Sequence, residues 1–335
     1  MQFGYSDRCL DHDTGPRHPE SPDRMRAIRE ALKERHGVSY VDADPADGAA
    51  VERAHDAEHV EAVREFCEDG GGEWDPDTVA GPDTYDVALQ SAGLAVWAAE
   101  AAVDGADGRD TPFALGRPPG HHAESDDAMG FCFFNNAAVA ARAAIDGHDD
   151  VDRVAIWDWD VHHGNGTQEI CYDDPDVFYA STHEAGLYPG TGDIEETGED
   201  AGEGTTMNVP LSAGCGDAEY LHAFEEAIAP AIERFGPDLL LISAGFDAHR
   251  HDPISRMRVS TEGYAQLTDA VRTLADETGA ALAFVLEGGY GLDTLSESVA
   301  VVHETFDGRE PVVDDAEPTE EVTDQVAELR EIHGL

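Results

Sequence analysis

Short apolar runs, each ending in a cluster of polar side chains, set the pattern of this chain. Val154-Ala155-Ile156-Trp157 is such a run, too short for a helical face and rich in β-formers, and it reads as a buried strand of a parallel sheet. The same reading applies to Gln2–Tyr5, Val38–Val41, Phe113–Leu115, Val177–Ser181, Met207–Leu211, Leu239–Ala244 and Ala281–Leu286. Between them lie helical stretches. Ser21-Pro22-Asp23 caps one that runs to about Arg35, with proline in the first turn where its missing N–H costs nothing. Others are His55–Cys67, the alanine-rich Thr84–Val103 and Asn136–Ile145, while Glu68–Asp83 reads as a Gly- and Asp-rich surface loop. Strands alternating with helices predict an α/β fold, a parallel sheet covered on both faces, with ligands at the carboxyl ends of its strands. No linker divides residues 1–306, which are expected to form one domain. From Asp307 the chain turns acidic and proline-punctuated, so 307–335 reads as an acidic tail ending in a polar helix from about Thr319 to His333.

Charge adds a statement about the solvent. The 335 residues hold 72 acidic against 20 basic side chains, a formal net charge of -52, with Lys33 as the single lysine. Intrinsic disorder is excluded by a hydrophobic content of 41% arranged in buried-strand runs. The composition instead predicts a halophile's cytoplasmic protein, because molar salt shortens the Debye length to about 3 Å and screens carboxylate repulsion. Direct nucleic-acid binding is not expected of a surface without clustered Lys and Arg. Cys9, Cys67, Cys132, Cys171 and Cys215 form no CxxC pair, which argues against a disulfide framework or a cysteine zinc knuckle. No run of 18 apolar residues predicts a membrane span.

Candidate chemistry lies just after the strands. Residues two apart on a strand share a face, so Asp158, Asp160 and His162, in Asp158-Trp159-Asp160-Val161-His162-His163-Gly164-Asn165-Gly166, can reach one crevice. Asp247, after the run Leu239–Ser243, could complete an Asp, His, Asp ligand set with Asp160 and His162, leaving a position for water. Such a set suits catalytic zinc, with manganese or iron(II) open on ligand type. His121-His122 follows the rigid turn Pro118-Pro119-Gly120, and a histidine with a pKa near 6.5 suits a general base. Asp158 and Asn165 are its natural orienting partners. Tyr290, in the turn Glu287-Gly288-Gly289-Tyr290-Gly291, offers a phenol to an oxyanion, although a core or rim tyrosine explains it equally well.

Five ordered motifs carry a resemblance: Arg117–His122, Gly130–Asn136, Asp158–Thr167, Ser243–Asp247 and Glu287–Tyr290. With His18–Arg24 they resemble the histone deacetylase superfamily, in particular class II and the histone deacetylase-like amidohydrolases, over roughly residues 1–305. The resemblance implies an arginase/deacetylase-like three-layer αβα fold with a parallel sheet of about eight strands and one zinc ion held by Asp160, His162 and Asp247. It implies His122 as general base and later acid, His121 as a second imidazole held by Asp158, and Tyr290 as the group that polarises the substrate carbonyl. Phe131 and Tyr188 are implied as walls of an acyl-lysine tunnel, with Gly130 accepting the substrate amide hydrogen and Gly288 and Ile254 along the substrate. A structural potassium ion is implied at Asp158, Asp160, His162, Ser181 and Thr182, mostly through backbone oxygens. Three departures stand out: Asn165 where class I enzymes have aspartate, Tyr188 where phenylalanine is commoner, and Ile254 where polyamine-selective class II enzymes have glutamate.

The expected activity is metal-dependent removal of acetyl or other acyl groups from lysine side chains of proteins and peptides. Acetylpolyamines or other small acetylated amines are the alternative substrates, and the soft meaning of Ile254 leaves that alternative open. A non-catalytic acyl-group sensor has no need of the base and tyrosine. A two-manganese ureohydrolase of arginase type lacks ligands here. A homo-oligomer is compatible with the sequence.

Overall fold

The structure is a computed structural model and describes residues 1–312 and 316–335. Its strands are β1 Gln2–Gly4, β2 Ser39–Val41, β3 Gly72–Glu73, β4 Val79–Ala80, β5 Pro112–Ala114, β6 Val154–Asp158, β7 Val177–Glu184, β8 Thr206–Leu211, β9 Leu239–Ala244 and β10 Ala281–Leu286. Eight of them form one sheet in the order β2-β1-β5-β10-β9-β6-β7-β8, every ladder parallel. All residues of β6 and β9 are buried, which is why these strands read as unbroken apolar runs rather than alternating ones.

Helices cover both faces, giving the expected three-layer α/β fold. On one face Trp157, Phe178, Met207, Leu240, Ile242 and Phe284 form a continuous core with residues of the helices Thr261–Thr278 and Leu292–Phe306. On the other, Ile156, Tyr179, Leu241 and Val285 meet the helices Thr84–Val103 and Asn136–Gly147. Those two helices are rich in alanine, and small side chains let them lie close to each other and to the sheet. A Cβ added at Gly93 of the first would stand 2.3 Å from the carbonyl oxygen of Asp44.

The order of the strands positions the site. β10, β9 and β6 are neighbours, in register Asp158↔Ser243 and Ser243↔Val285, so the residues that follow them converge at one carboxyl edge. β7 continues three residues beyond the apolar run, through Thr182, His183 and Glu184, which are polar yet fully buried beside that edge. The Glu68–Asp83 stretch, expected as a loop, contains the antiparallel pair β3–β4. Two-residue strands are too short to leave an alternating pattern in sequence. The terminal helix Glu320–His333 buries Val322, Val326 and Leu329 in the core that holds Trp157, and its Gln325 donates to the Pro210 carbonyl at 2.8 Å.

Candidate metal centre and active site

Asp160, His162 and Asp247 each offer a ligand atom, all within 4.8 Å of one another. Nδ1 of His162 lies 3.0 Å from Asp160 Oδ1 and 3.3 Å from Asp247 Oδ2. The other carboxylate oxygens are held by backbone N–H donors: Gly288 donates to Asp160 Oδ2 at 2.8 Å and Val161 to Asp247 Oδ1 at 2.9 Å. Oδ2 of Asp247 is buried and accepts no well-formed hydrogen bond. A buried carboxylate oxygen left without a donor is costly unless a cation satisfies it. Two glycines give the carboxylates room, since a Cβ at Gly245 would meet Asp160 Oδ2 at 2.0 Å and one at Gly288 would meet Asp247 Oδ2 at 2.2 Å. The donor set and its orphaned oxygen fit a divalent cation.

Beside the cluster stand the two imidazoles, their ring centroids 4.0 Å apart. Nδ1 of His121 is 2.9 Å from Asp158 Oδ2, and Nδ1 of His122 is 2.9 Å from Asn165 Oδ1. The partners differ in charge, and the pKa values separate accordingly. Burial lowers that of His121, but Asp160 and Asp158 outweigh it and push the imidazole up to about 10. Burial and the neighbouring His121 and His162 hold His122 well below 6.5. Asn165 in turn donates to Glu124 Oε1 at 2.7 Å, so a carboxylate stands one hydrogen bond behind the amide.

Phe131 and Tyr188 stand over the floor. The Tyr188 ring meets His122 edge-on at 5.0 Å and is 37% exposed, which puts it at the mouth. Phe131 faces Tyr290 at 5.8 Å and His18 at 4.7 Å. Gly130 and Phe131 both have positive φ, 54° and 72°; a Cβ at Gly130 would meet His122 Cδ2 at 2.4 Å, so only glycine brings this turn against the histidine. Tyr290 is half-buried beside Phe131, and desolvation of its phenol holds the pKa well above 10, so the group is protonated. Its loop is fixed by Asp252, whose Oδ2 accepts the Tyr290 and Gly291 N–H groups at 2.7 and 2.9 Å. Ile254 follows, half-buried, donating to Asp252 Oδ1 at 3.1 Å. Gly288, expected along the substrate, has its N–H committed to Asp160.

For the potassium set, Ser181 pairs in register with Asp158, while its hydroxyl faces His183 at 3.0 Å and the Thr182 hydroxyl faces Trp157 at 3.3 Å.

Several residues that shape the site drew no role from sequence. Arg24 donates to the Gly289 and Glu287 carbonyls and lies 5.0 Å over the Tyr290 ring. Glu20 is shared by Arg24 and Arg117, all three buried. They sit inside the quoted motifs, but no spacing shows that residues 20, 117 and 287 are neighbours.

The chain resembles known proteins along almost its whole length. The histone deacetylase domain profile matches residues 18–306. The histone deacetylase-like amidohydrolase of Pseudomonas aeruginosa is 39% identical over 310 residues, covering 86% of this chain and 81% of that protein. A probable deacetylase of Archaeoglobus fulgidus is 37% identical over 295 residues, covering 86% and 81%. The crystal structure of the HDA15 HD domain superposes with a TM-score of 0.89 at 37% identity, covering 99% of this chain and 94% of that one. With its fold, its candidate metal-ligand cluster and these relatives, the chain belongs to the histone deacetylase family, hydrolases acting on amide bonds.

Proposed function

We propose that this protein is a zinc-dependent deacetylase that removes acetyl groups from lysine side chains of proteins and peptides. The observation that carries the reading is the convergence of Asp160, His162 and Asp247 with two tethered imidazoles and a half-buried, protonated Tyr290 at one carboxyl edge. Zinc held by those three residues supplies Lewis-acid polarisation of the amide carbonyl and acidification of a water. The rest falls to the chain itself.

His122 takes the role of general base. Asn165 Oδ1 accepts from its Nδ1, which fixes the tautomer and leaves the Nε2 lone pair for the water's proton. His121, paired with Asp158, carries positive charge beside it and helps to stabilise the developing negative charge. Tyr290 donates its phenolic hydrogen to the oxyanion. His122 then returns its proton to the leaving amine. Phe131 and Tyr188 form the apolar walls for an uncharged acylated stem, and Gly130 offers its carbonyl to the substrate amide. All of these residues lie within 1–306, which we take as the catalytic unit, with 307–335 as an acidic C-terminal segment whose helix packs on that unit.

A second reading, an acetylpolyamine or another small acetylated amine as substrate, draws on the mouth. Burial first, and then the negative charges of Asp77 and Asp75, hold the Tyr188 phenol above its ordinary pKa, so the rim favours a cation. Kinetics on acetyl-lysine peptides and on acetylspermidine, side by side in high potassium chloride with equal zinc loading, separate the two. The expected result is a higher kcat/KM on the peptide; a tenfold preference for the polyamine reverses the assignment.

A further inference from the structure

Glu287 places a carboxyl group in the interior of the protein, where it forms no ion pair at contact distance among the described residues and feels the charge of His121 from a neighbouring segment. It is fully buried, and Oε1 has no hydrogen-bond partner. Oε2 accepts two backbone N–H groups, from Gly120 at 2.7 Å and from His121 at 3.2 Å. Its own main chain runs from the end of β10 into the turn that carries Tyr290, with the Glu287 N–H on the Ala244 carbonyl at 3.1 Å and Arg24 donating to the Glu287 carbonyl. The residue therefore joins, through one oxygen, the two segments that bear the imidazoles and the phenol.

Such a tether matters because the chemistry needs both groups on the same carbonyl. His122 acts on the water and Tyr290 on the oxygen that becomes the oxyanion, and their separation must be held to a fraction of an ångström. The turn at Gly120 cannot be fixed by a side chain of its own: a Cβ there would stand 2.4 Å from the Asn136 N and 2.8 Å from the Phe134 carbonyl. Glycine is required for the close passage, and with it goes any local side-chain anchor. The Glu287 carboxylate supplies the missing anchor from across the sheet edge.

We propose that Glu287 is a positioning residue that fixes the His121–His122 pair against the Tyr290 turn, by accepting the Gly120 and His121 N–H groups at a single carboxylate oxygen. The proposal rests on the catalytic roles given above to His122 and Tyr290. Glu287 touches neither substrate nor metal ligand side chain, so its removal acts on the chemical step and leaves substrate affinity in place.

The test compares Glu287→Leu with Glu287→Gln in the full chain, metal-loaded, on an acetyl-lysine peptide. A misplacement of the base on the ångström scale costs on the order of 10²-fold. Glu287→Leu is expected to lower kcat by about that factor with KM unchanged. Glu287→Gln, which keeps an oxygen acceptor, is expected to recover most of the loss. Amide hydrogen exchange in the metal-free protein gives a second readout that needs no turnover: Gly120 and His121 should exchange faster in the leucine variant than in the glutamine variant, and slowest in the wild type. A folded Glu287→Leu enzyme with wild-type kcat, or with Gly120 and His121 exchanging as in the wild type, overturns the proposal. If the leucine variant does not fold, Glu287→Ala, which likewise has no oxygen acceptor, takes its place, and wild-type kcat together with wild-type exchange at those two amides in that variant overturns the proposal equally. A wild-type enzyme inactive on every acetylated amine would instead remove the functional reading, while the exchange data still judge the tether.

Discussion

In the proposed mechanism two imidazoles four ångströms apart have opposite duties, because their Nδ1 atoms meet different partners. A carboxylate stabilises imidazolium at His121, whereas a neutral amide only orients His122, and His122 is thereby kept free to accept a proton. The proposed mechanism gives Tyr290 a simpler duty, and replacing it tests that mechanism most directly. Tyr290→Phe removes one oxyanion donor from a site that is otherwise intact, so kcat should fall about 10²- to 10³-fold while zinc content and thermal midpoint hold. Turnover near the wild-type level in a zinc-loaded Tyr290→Phe enzyme would exclude the phenol as donor. A histidine outside the proposed catalytic set contributes to acid stability, alongside His12, His163 and His249, whose pKa values burial lowers to about 4. His55 Nε2 accepts the Asn135 N–H at 2.8 Å while Nδ1 lies 2.8 Å from the Glu124 carbonyl, so the ring is neutral, and burial, then His59, lower its pKa to about 3. The folded value lies below the unfolded one of about 6.5, so the unfolded chain takes the proton first. The stability it contributes is full above about pH 6.5 and is lost as the pH falls toward 3, by about 1.4 kcal/mol per pH unit. Unfolding free energies measured from pH 7 to pH 4.5 should fall more steeply in the wild type than in His55→Gln; equal slopes would remove the assignment. Asp160, His162 and Asp247 were legible in sequence because each follows an apolar strand. Glu287 as a tether was not, because its meaning depends on a turn 167 residues away.

Among the elements, the central strands and the longest helices announced themselves. β6, β9 and β10 are covered on both faces and therefore apolar except for Asp158 and Ser243 near the site, and Thr84–Val103 spans the alanine-rich run end to end. β7 was read short, since its last three residues are polar and buried only because neighbouring segments cover them. The terminal helix shows the same dependence on tertiary context. In sequence Glu320–His333 is polar and acidic, yet three apolar positions, Val322, Val326 and Leu329, give it one face that fits the core. Packing of that kind makes the helix part of what holds the fold. Leu329 is 0% exposed whereas Ile332 is 39% exposed, which sets up a matched pair. Leu329→Ala should cost about 2 to 5 kcal/mol, as deletions from a filled core do. Ile332→Ala should stay within about 0.5 kcal/mol. Equal, small losses in urea unfolding of the two variants would show that the helix is an appendage whose packing contributes little.

At the scale of the whole molecule, charge rather than topology sets the conditions under which the fold exists. A net charge of -52 on 335 residues means that carboxylates outnumber cations over most of the surface. Most arginine partners are spent in pairs that are partly exposed, such as Arg53 with Asp146 and Arg309 with Glu262. Such pairs contribute little each and cannot offset the unpaired acids. In dilute buffer the remaining carboxylates repel across the surface, while in molar salt the screening length shrinks to about 3 Å, less than the spacing between most neighbouring charges. The thermal midpoint and the deacetylation rate should therefore both rise from dilute buffer to molar potassium chloride, at constant zinc. Screening alone depends on ionic strength and treats sodium and potassium alike. A bound ion at the edge shared by Asp158 and Ser181 adds a dependence on cation identity, because binding to the folded state alone stabilises it by mass action. The measurement is a pair of salt series, one in each cation, followed by thermal unfolding and by rate. Higher midpoints in potassium at matched ionic strength support an ion held by Asp158, Asp160, His162, Ser181 and Thr182. Superimposable curves would leave that site without support and assign the whole effect to screening, and full stability at low ionic strength would show that the surface acids do not govern the fold at all.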